Sequence, residues 1–226
     1  MPRHCNSEVG PNLKQTMAVM IGPLPKASIR EAGRLLARAF AADPVITHFL
    51  DGATRRRVAF PAFFRAVIFE SLDSGHAFGA WEAASLVGVA VWTPPRTAEP
   101  TPANRRGAQI NRMIVRLLFP HRSRKLYGGF SATVSLHPKA PHWYLAFVGV
   151  EPRQQGKGIG QQLLAPVLDL ADHRSTVCYL ETPFPGTLEF YRRLGFVLET
   201  EARPFENAPP IWTMTRPPSP LRALTQ

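Results

Sequence analysis

Three glycines fall within five positions in GVEPRQQGKGIGQQLL, which begins at Gly149, directly after an apolar run and directly before a helical pattern. A helix N-terminus leaves its first amides without intrahelical partners and carries partial positive charge, so it attracts phosphate. Glycine lets the backbone approach an anion closely and aim several amides at it. Gly156, Gly158 and Gly160 stand where such a site needs them. The other reading of the same residues is a tight strand-to-helix turn that binds nothing.

Phosphate motifs separate on single residues. A Walker A loop needs Ser or Thr after Gly-Lys, whereas Gly156-Lys157 is followed by Gly158, and Glu151 holds the place of its first glycine. A dinucleotide fingerprint starting at Gly156 would need a sixth-position glycine where Gln161 stands, although Glu181 falls near the distance of the ribose-binding acid. Gln155, Gly158 and Gly160 do satisfy Q/R-x-x-G-x-G/A. Joined to FYRRLGF from Phe190, this pattern resembles the pyrophosphate signature of the GNAT superfamily of acetyl-CoA-dependent N-acetyltransferases. Within it, VAVWTPP, WYLAFVGVEPRQQGKGIG, YLETPFPGTLEFYRRLGF and IWTMTRPP, in that order, resemble the puromycin N-acetyltransferase family. The likeness runs from about Met17 to the end of the chain.

The resemblance implies a GNAT acyl-CoA N-acyltransferase fold: mixed α/β (α+β), with a central mixed sheet flanked by helices, and acetyl-CoA as cofactor. Acetyl transfer to an amine needs a bound thioester, a neutral amine, a stabilised oxyanion and a proton for the departing thiolate. The resemblance implies that the strand before the glycine loop splays from its neighbour. Val148 then meets the acetyl carbonyl, Gly149 and Val150 the pantetheine arm, and amides of Gln155, Gly156, Lys157, Gly158, Ile159, Gly160 and Gln161 the pyrophosphate. Only their backbone needs to act; the valines are equally ordinary core residues.

Tyr191 matches the family tyrosine that protonates the coenzyme A thiolate, and a phenol of pKa ~10 is protonated at neutral pH. Its alternative is a core tyrosine with a satisfied hydroxyl. Glu181 ends the next strand, where side chains of open α/β sheets face a ligand crevice, so it can accept the amine's proton directly or through water. A helix-cap or surface carboxylate is its other reading. The demand is lighter for an α-amine, of pKa ~7.7–8.0, than for a lysine at ~10.4. Asp43, His48, Trp92 and Trp143 correspond to substrate-pocket positions, each with a core or capping role as the alternative. The chain departs from the puromycin family at Ala42-Asp43 and at Thr187. It departs from many GNAT enzymes at Phe184, where they have an asparagine.

These residues need a scaffold. At 226 residues with 45% hydrophobic content the chain fills one domain, placed at 17–226 after a disordered leader at 1–16. A strand at 17–22 precedes a helix in SIREAGRLLARAF, with Ser28 and Glu31 in capping-box spacing. Asp43 caps a short second helix that begins with Pro44, and 54–72 is a third. HAFGAWEAASLVGVAVWTPP reads as a hairpin, 97–101 as a loop and 104–119 as a helix. From Trp143, strand and helix alternate, giving a parallel pair joined by a helix that Pro166 should kink, then antiparallel strands.

Cys5 and Cys178 lack metal or disulfide spacing, no metal is expected, and Cys178 has no adjacent histidine that would make it a nucleophile. The polar start is no signal peptide and no stretch is long enough to span a bilayer, which points to a cytoplasmic protein. The +11 net charge is concentrated between Glu99 and Glu151, where there is no acidic residue. This reads first as a solvated face, then as attraction for a nucleotide phosphate, and least as a nucleic-acid site. The expected activity is acetylation of a primary amine on a small molecule, puromycin-like or aminoacyl, by direct attack in a ternary complex. Its rivals are a peptide or protein N-acetyltransferase and a catalytically silent acyl-CoA-binding or nucleic-acid-binding protein. Monomer and homodimer are both compatible with an exposed last strand.

Overall fold

The hairpin forms as β2 (Ala77–Glu82) and β3 (Ser85–Thr93) in the computed structural model, which describes residues 18–49, 53–72, 76–95, 132–203 and 207–219 and single helical residues at 109, 113, 116 and 128. Its two turn residues, Ala83 and Ala84, both adopt positive φ (47° and 66°), the two-residue geometry whose twist matches that of the flanking strands. The expected leader, the loop at 97–101, and most of the helix at 104–119 and of the basic stretch lie outside the described residues. Arg116 and Lys139 are exposed members of that stretch.

Five further strands complete one sheet: β1 (Met20–Pro23), β4 (His142–Val150), β5 (Val177–Thr182), β6 (Val197–Ala202) and β7 (Ile211–Arg216). Their order is β1-β2-β3-β4-β5-β7-β6, and every pairing is antiparallel except β4 with β5. The exception has a covalent cause: α4 (Ile159–His173) returns the chain across the sheet between them, as a parallel connection requires. Pro166 lies inside α4.

Each face of the sheet is covered. On one, α1 (Ile29–Ala39) and α3 (Ala53–Leu72) bury Ala32, Leu35, Leu36, Phe60, Phe64 and Ile68 against Val89 and Val91. On the other, α4 buries Leu163, Leu164, Val167 and Leu168 against Ala90, Trp92, Trp143 and Leu145. Alternation along β3 and β4 distributes their side chains between the two cores. Gly149 permits the first packing: a Cβ there would lie 2.7 Å from Leu36 Cδ2 and 3.0 Å from Ala39 Cβ.

One local expectation is corrected. Ser28 precedes α1 but makes no side-chain cap and has helical φ, ψ of −85° and −3°. A 3₁₀ turn at Lys26–Ser28 runs straight into α1, and its closing bond (Ser28 N to Pro25 O, 2.9 Å) excludes the extended conformation that a capping box needs. The second cap forms as expected: Asp43 Oδ1 accepts from Ile46 N at 2.8 Å, ahead of α2 (Pro44–Phe49).

Candidate active site

The parallel pairing of β4 and β5 is brief. His142, Trp143 and Tyr144 face Val177, Cys178 and Tyr179, and beyond Tyr144 the two strands part. β4 stays paired with β3 as far as Val150, and β5 with β7 as far as Thr182. The register with β3 slips so that Val91 faces Phe147 while Trp92 faces Leu145, leaving Ala146 as a bulge where the strands diverge. From Leu145 onward the β5-facing edge of β4 therefore has no strand partner.

A cleft of about 710 Å³ fills the gap. Val148, Gly149 and Val150 form one wall, and Gln155, Gly156, Gly158, Ile159, Gly160 and Gln161 form the end. Leu180, Glu181, Phe184, Thr187 and Tyr191 form the opposite wall, and Phe40 and Ala42 approach from the α1 side. Lys157 does not line it; its ammonium donates to the Gln154 side chain, whose amide donates to Glu82 Oε2 at 2.7 Å.

The loop is shaped by two glycines. Gly156 and Gly158 have φ of +79° and +78°, with open space where a Cβ would be, so their requirement is conformational rather than steric. Gly158 is also the N-cap of α4, and no side chain caps that end. The first amides of α4 thus face the cleft without helical acceptors. A diphosphate fits this donor set: several free N–H groups, a positive helix end and a floor without side chains.

Tyr191 comes from α5 (Leu188–Arg193), and its ring packs against Phe190 and Phe196 at centroid separations of 5.0 and 5.8 Å. Burial pushes its phenol well above the ordinary value, so it keeps its proton throughout the physiological range. Glu181 is nine-tenths buried, and its Oε1, 3.0 Å from His137 Nε2, has no aligned hydrogen bond among the described residues. Tyr144 and Tyr179 stand beside the same carboxylate; burial first, and then its negative charge, raise both phenols. The residue alternation of CYLE already places Tyr179 and Glu181 on one face. The approach of Tyr144 and His137 depends on strand pairing and a turn, which one segment does not reveal.

The four expected substrate-pocket residues are dispersed. Trp92 and Trp143 are fully buried in the core beneath α4, because alternation turns them away from the α1 side. Asp43 is buried at its cap, His48 lies half-buried in α2, and none of the four lines the cleft. Phe184 and Thr187 do line it. Thr187 Oγ1 lies 2.8 Å from Thr182 Oγ1 and donates to Phe184 O at 2.8 Å, tying the β5–α5 turn together. The Cys178 thiol, buried in β5, is pushed up to about 12 mainly by desolvation, which suits a core residue rather than a nucleophile. Among the described residues no group of three or more His, Cys, Asp or Glu is placed to hold a metal, and no helix is long and apolar enough to cross a membrane.

Known proteins share this fold. An acetyltransferase from Corynebacterium glutamicum, described as histone acetyltransferase HPA2 and related acetyltransferase, superposes with a TM-score of 0.64 at 22% identity, over 90% of this chain and 98% of that one. PaiA N-acetyltransferase from Thermoplasma acidophilum, solved with coenzyme A, superposes with a TM-score of 0.54 at 12% identity, over 89% and 99%. In sequence, the chain is 47% identical over 51 residues to N-alpha-acetyltransferase RimI of Mycobacterium tuberculosis, a match covering 22% of this chain and 31% of that protein. The chain spans less than a third of the length of the curated relatives it matches. The family model for the acetyltransferase (GNAT) family matches residues 50–196, more than half of the sequence, and the chain belongs to that family.

Proposed function

We propose that this protein transfers an acetyl group from acetyl-CoA to a primary amine of a small molecule, by direct attack within a ternary complex. The observation that carries the proposal is the parting of β4 from β5 after Tyr144, which opens a single cleft onto both the glycine loop and the Glu181 carboxylate. The coenzyme supplies the activated acetyl thioester. Amides from Gln155 to Gln161 hold its diphosphate, and the unpaired edge of β4 at Val148–Val150 holds the pantetheine arm.

Glu181 accepts the amine's proton, directly or through one water, with the carboxylate lone pair left over in its pocket. Tyr191 offers its hydroxyl to the sulfur. Because burial makes the phenol a weaker acid than a thiol of pKa ~8.5, its service is a hydrogen bond that strengthens as charge gathers on sulfur. Aminoacyl compounds such as puromycin lead the acceptors, since a partly neutral α-amine asks least of Glu181.

The test is thiol release from acetyl-CoA with a panel holding puromycin, other aminoacyl compounds, alkylamines and peptides with free N-termini. Turnover with small α-amines is expected, falling at least about tenfold in Tyr191→Phe with the KM for acetyl-CoA little changed. Turnover confined to peptides would replace the small-molecule reading by a peptide N-acetyltransferase, and no turnover with any amine would overturn both.

A further inference from the structure

The base and the acid of the proposed transfer stand on different elements, and one turn joins them. Glu181 lies next to the last residue of β5, and Tyr191 lies in α5. Thr182 is the chain neighbour of Glu181. Thr187 precedes α5 and stands four residues before Tyr191, which is one helical turn. Both threonines line the same cleft as Glu181 and Tyr191.

Three hydrogen bonds close this turn into a ring, and valence fixes their direction. The Phe184 carbonyl offers only lone pairs, so Thr187 Oγ1 donates to it at 2.8 Å. That commits the single hydroxyl proton of Thr187. Across the 2.8 Å contact between the hydroxyls, Thr182 Oγ1 is therefore the donor and Thr187 Oγ1 the acceptor. Thr182 Oγ1 in turn accepts from Phe184 N at 3.2 Å. Each hydroxyl donates once and accepts once, so the bonds polarise one another in the same sense. The tip of the turn is open: a Cβ at Gly186 would meet no atom within 4 Å, and packing does not brace it there. Thr182 is buried, which shields the ring from competing water.

We propose that Thr182 and Thr187 are positioning residues that set the separation between the Glu181 carboxylate and the Tyr191 hydroxyl, an inference that rests on the acetyl transfer proposed above. The nitrogen that gives its proton to Glu181 and the sulfur that Tyr191 serves are bonded to one carbon as the C–N bond forms and the C–S bond breaks. The two side chains must therefore match the spacing of two substituents on a single tetrahedral centre. A misplacement of about 1 Å in such a pair costs on the order of a hundredfold in rate. Pairing with β7 fixes the strand end, where Glu181 faces Thr213 and Thr182 faces Trp212. The Tyr191 ring packs against Phe190 and Phe196, but both follow the turn in the chain, so these contacts do not tie the ring to β5. The hydroxyl pair makes that tie directly.

Two measurements on the full chain test the assignment. In the unliganded wild type, the Phe184 amide should exchange with heavy water at least about tenfold more slowly than an open turn amide; unprotected exchange overturns the ring, whatever the variants do. Thiol release is then compared in the wild-type and Tyr191→Phe backgrounds. Thr187→Val keeps the side-chain shape without the hydroxyl and should lower kcat about tenfold, with the KM for acetyl-CoA unchanged, while Thr187→Ser stays within about threefold of the wild type. Added to Tyr191→Phe, Thr187→Val should cost less than about twofold, because a misplaced donor no longer matters once the donor is gone. Thr182→Val breaks the ring from the β5 side and should show the same pattern. An equal loss in both backgrounds is what a merely structural role gives, and it overturns the proposal. So does a raised KM with unchanged kcat, which would make Thr187 a coenzyme contact. If the wild type turns over and the threonine variants match it, the positioning role alone falls; if the wild type acetylates no amine, acetyl transfer and positioning fall together.

Discussion

Burial acts on three acidic groups of this protein in the same direction with different consequences. It keeps Tyr191 protonated and the Cys178 thiol unreactive, and it raises the Asp43 carboxyl from 3.8 to about 6, against the opposing backbone hydrogen bonds from Ile46 and Val45. A native state that binds a proton more tightly than the unfolded chain is favoured by that group below about pH 4, and the advantage is lost as pH rises through about 6. The shift corresponds to roughly 3 kcal/mol. Asp43→Asn keeps the capping oxygen without the charge. Urea denaturation should therefore show the variant gaining on the wild type between about pH 4 and 6.5 and holding its lead above; a pH-independent difference contradicts this account. At this scale the sequence was most legible where one residue's chemistry suffices, as in the cap at Asp43 or the positive-φ turn at Gly156 and Gly158. It was least legible where partners come from separate elements, as with His137 beside Glu181.

Elements, by contrast, were readable from periodicity wherever one face meets a core. The hairpin, α1, α3, α4 and the parallel β4–β5 pair all follow from apolar spacing and connection length. The opening between β4 and β5 follows from register, which single-strand patterns do not carry; the bulge at Ala146 and the end of pairing at Tyr144 became visible only in three dimensions. α1 packs against the β4 wall of that opening. Gly149→Ala would force its new methyl against Leu36 and Ala39, pushing α1 from β4 and lowering stability by about 1–3 kcal/mol. Thermal denaturation should show a lower Tm for Gly149→Ala than for Gly158→Ala, whose methyl meets no atom within 4 Å and whose penalty is conformational, about 1 kcal/mol. Equal losses would mean that the contact with α1 is not what selects glycine at 149.

Across the whole molecule, one buried ion pair ties the far end of α4 to the last strand. Arg216 Nη1 and Nη2 each donate to Asp172 at 2.7 Å, Arg216 Nε donates to the Leu194 carbonyl at 2.8 Å, and Ser219 N donates to Asp172 Oδ1 at 2.7 Å. The side chains are 5% and 0% exposed, so Asp172→Ala strands a guanidinium without its counterion and should lower unfolding stability by about 3–5 kcal/mol. A loss below about 1 kcal/mol in chemical denaturation would show that the guanidinium reaches water when its partner is gone. The clamp joins α4 to β7, the strand paired with β5, and the cleft at the other end of β5 has meaning only if a coenzyme fills it. Isothermal titration of the full chain with acetyl-CoA tests this most directly. The account predicts saturable binding of one ligand per chain at submillimolar concentration, weakened severalfold by Gly158→Ala; a wild-type titration without heat up to millimolar ligand would contradict it.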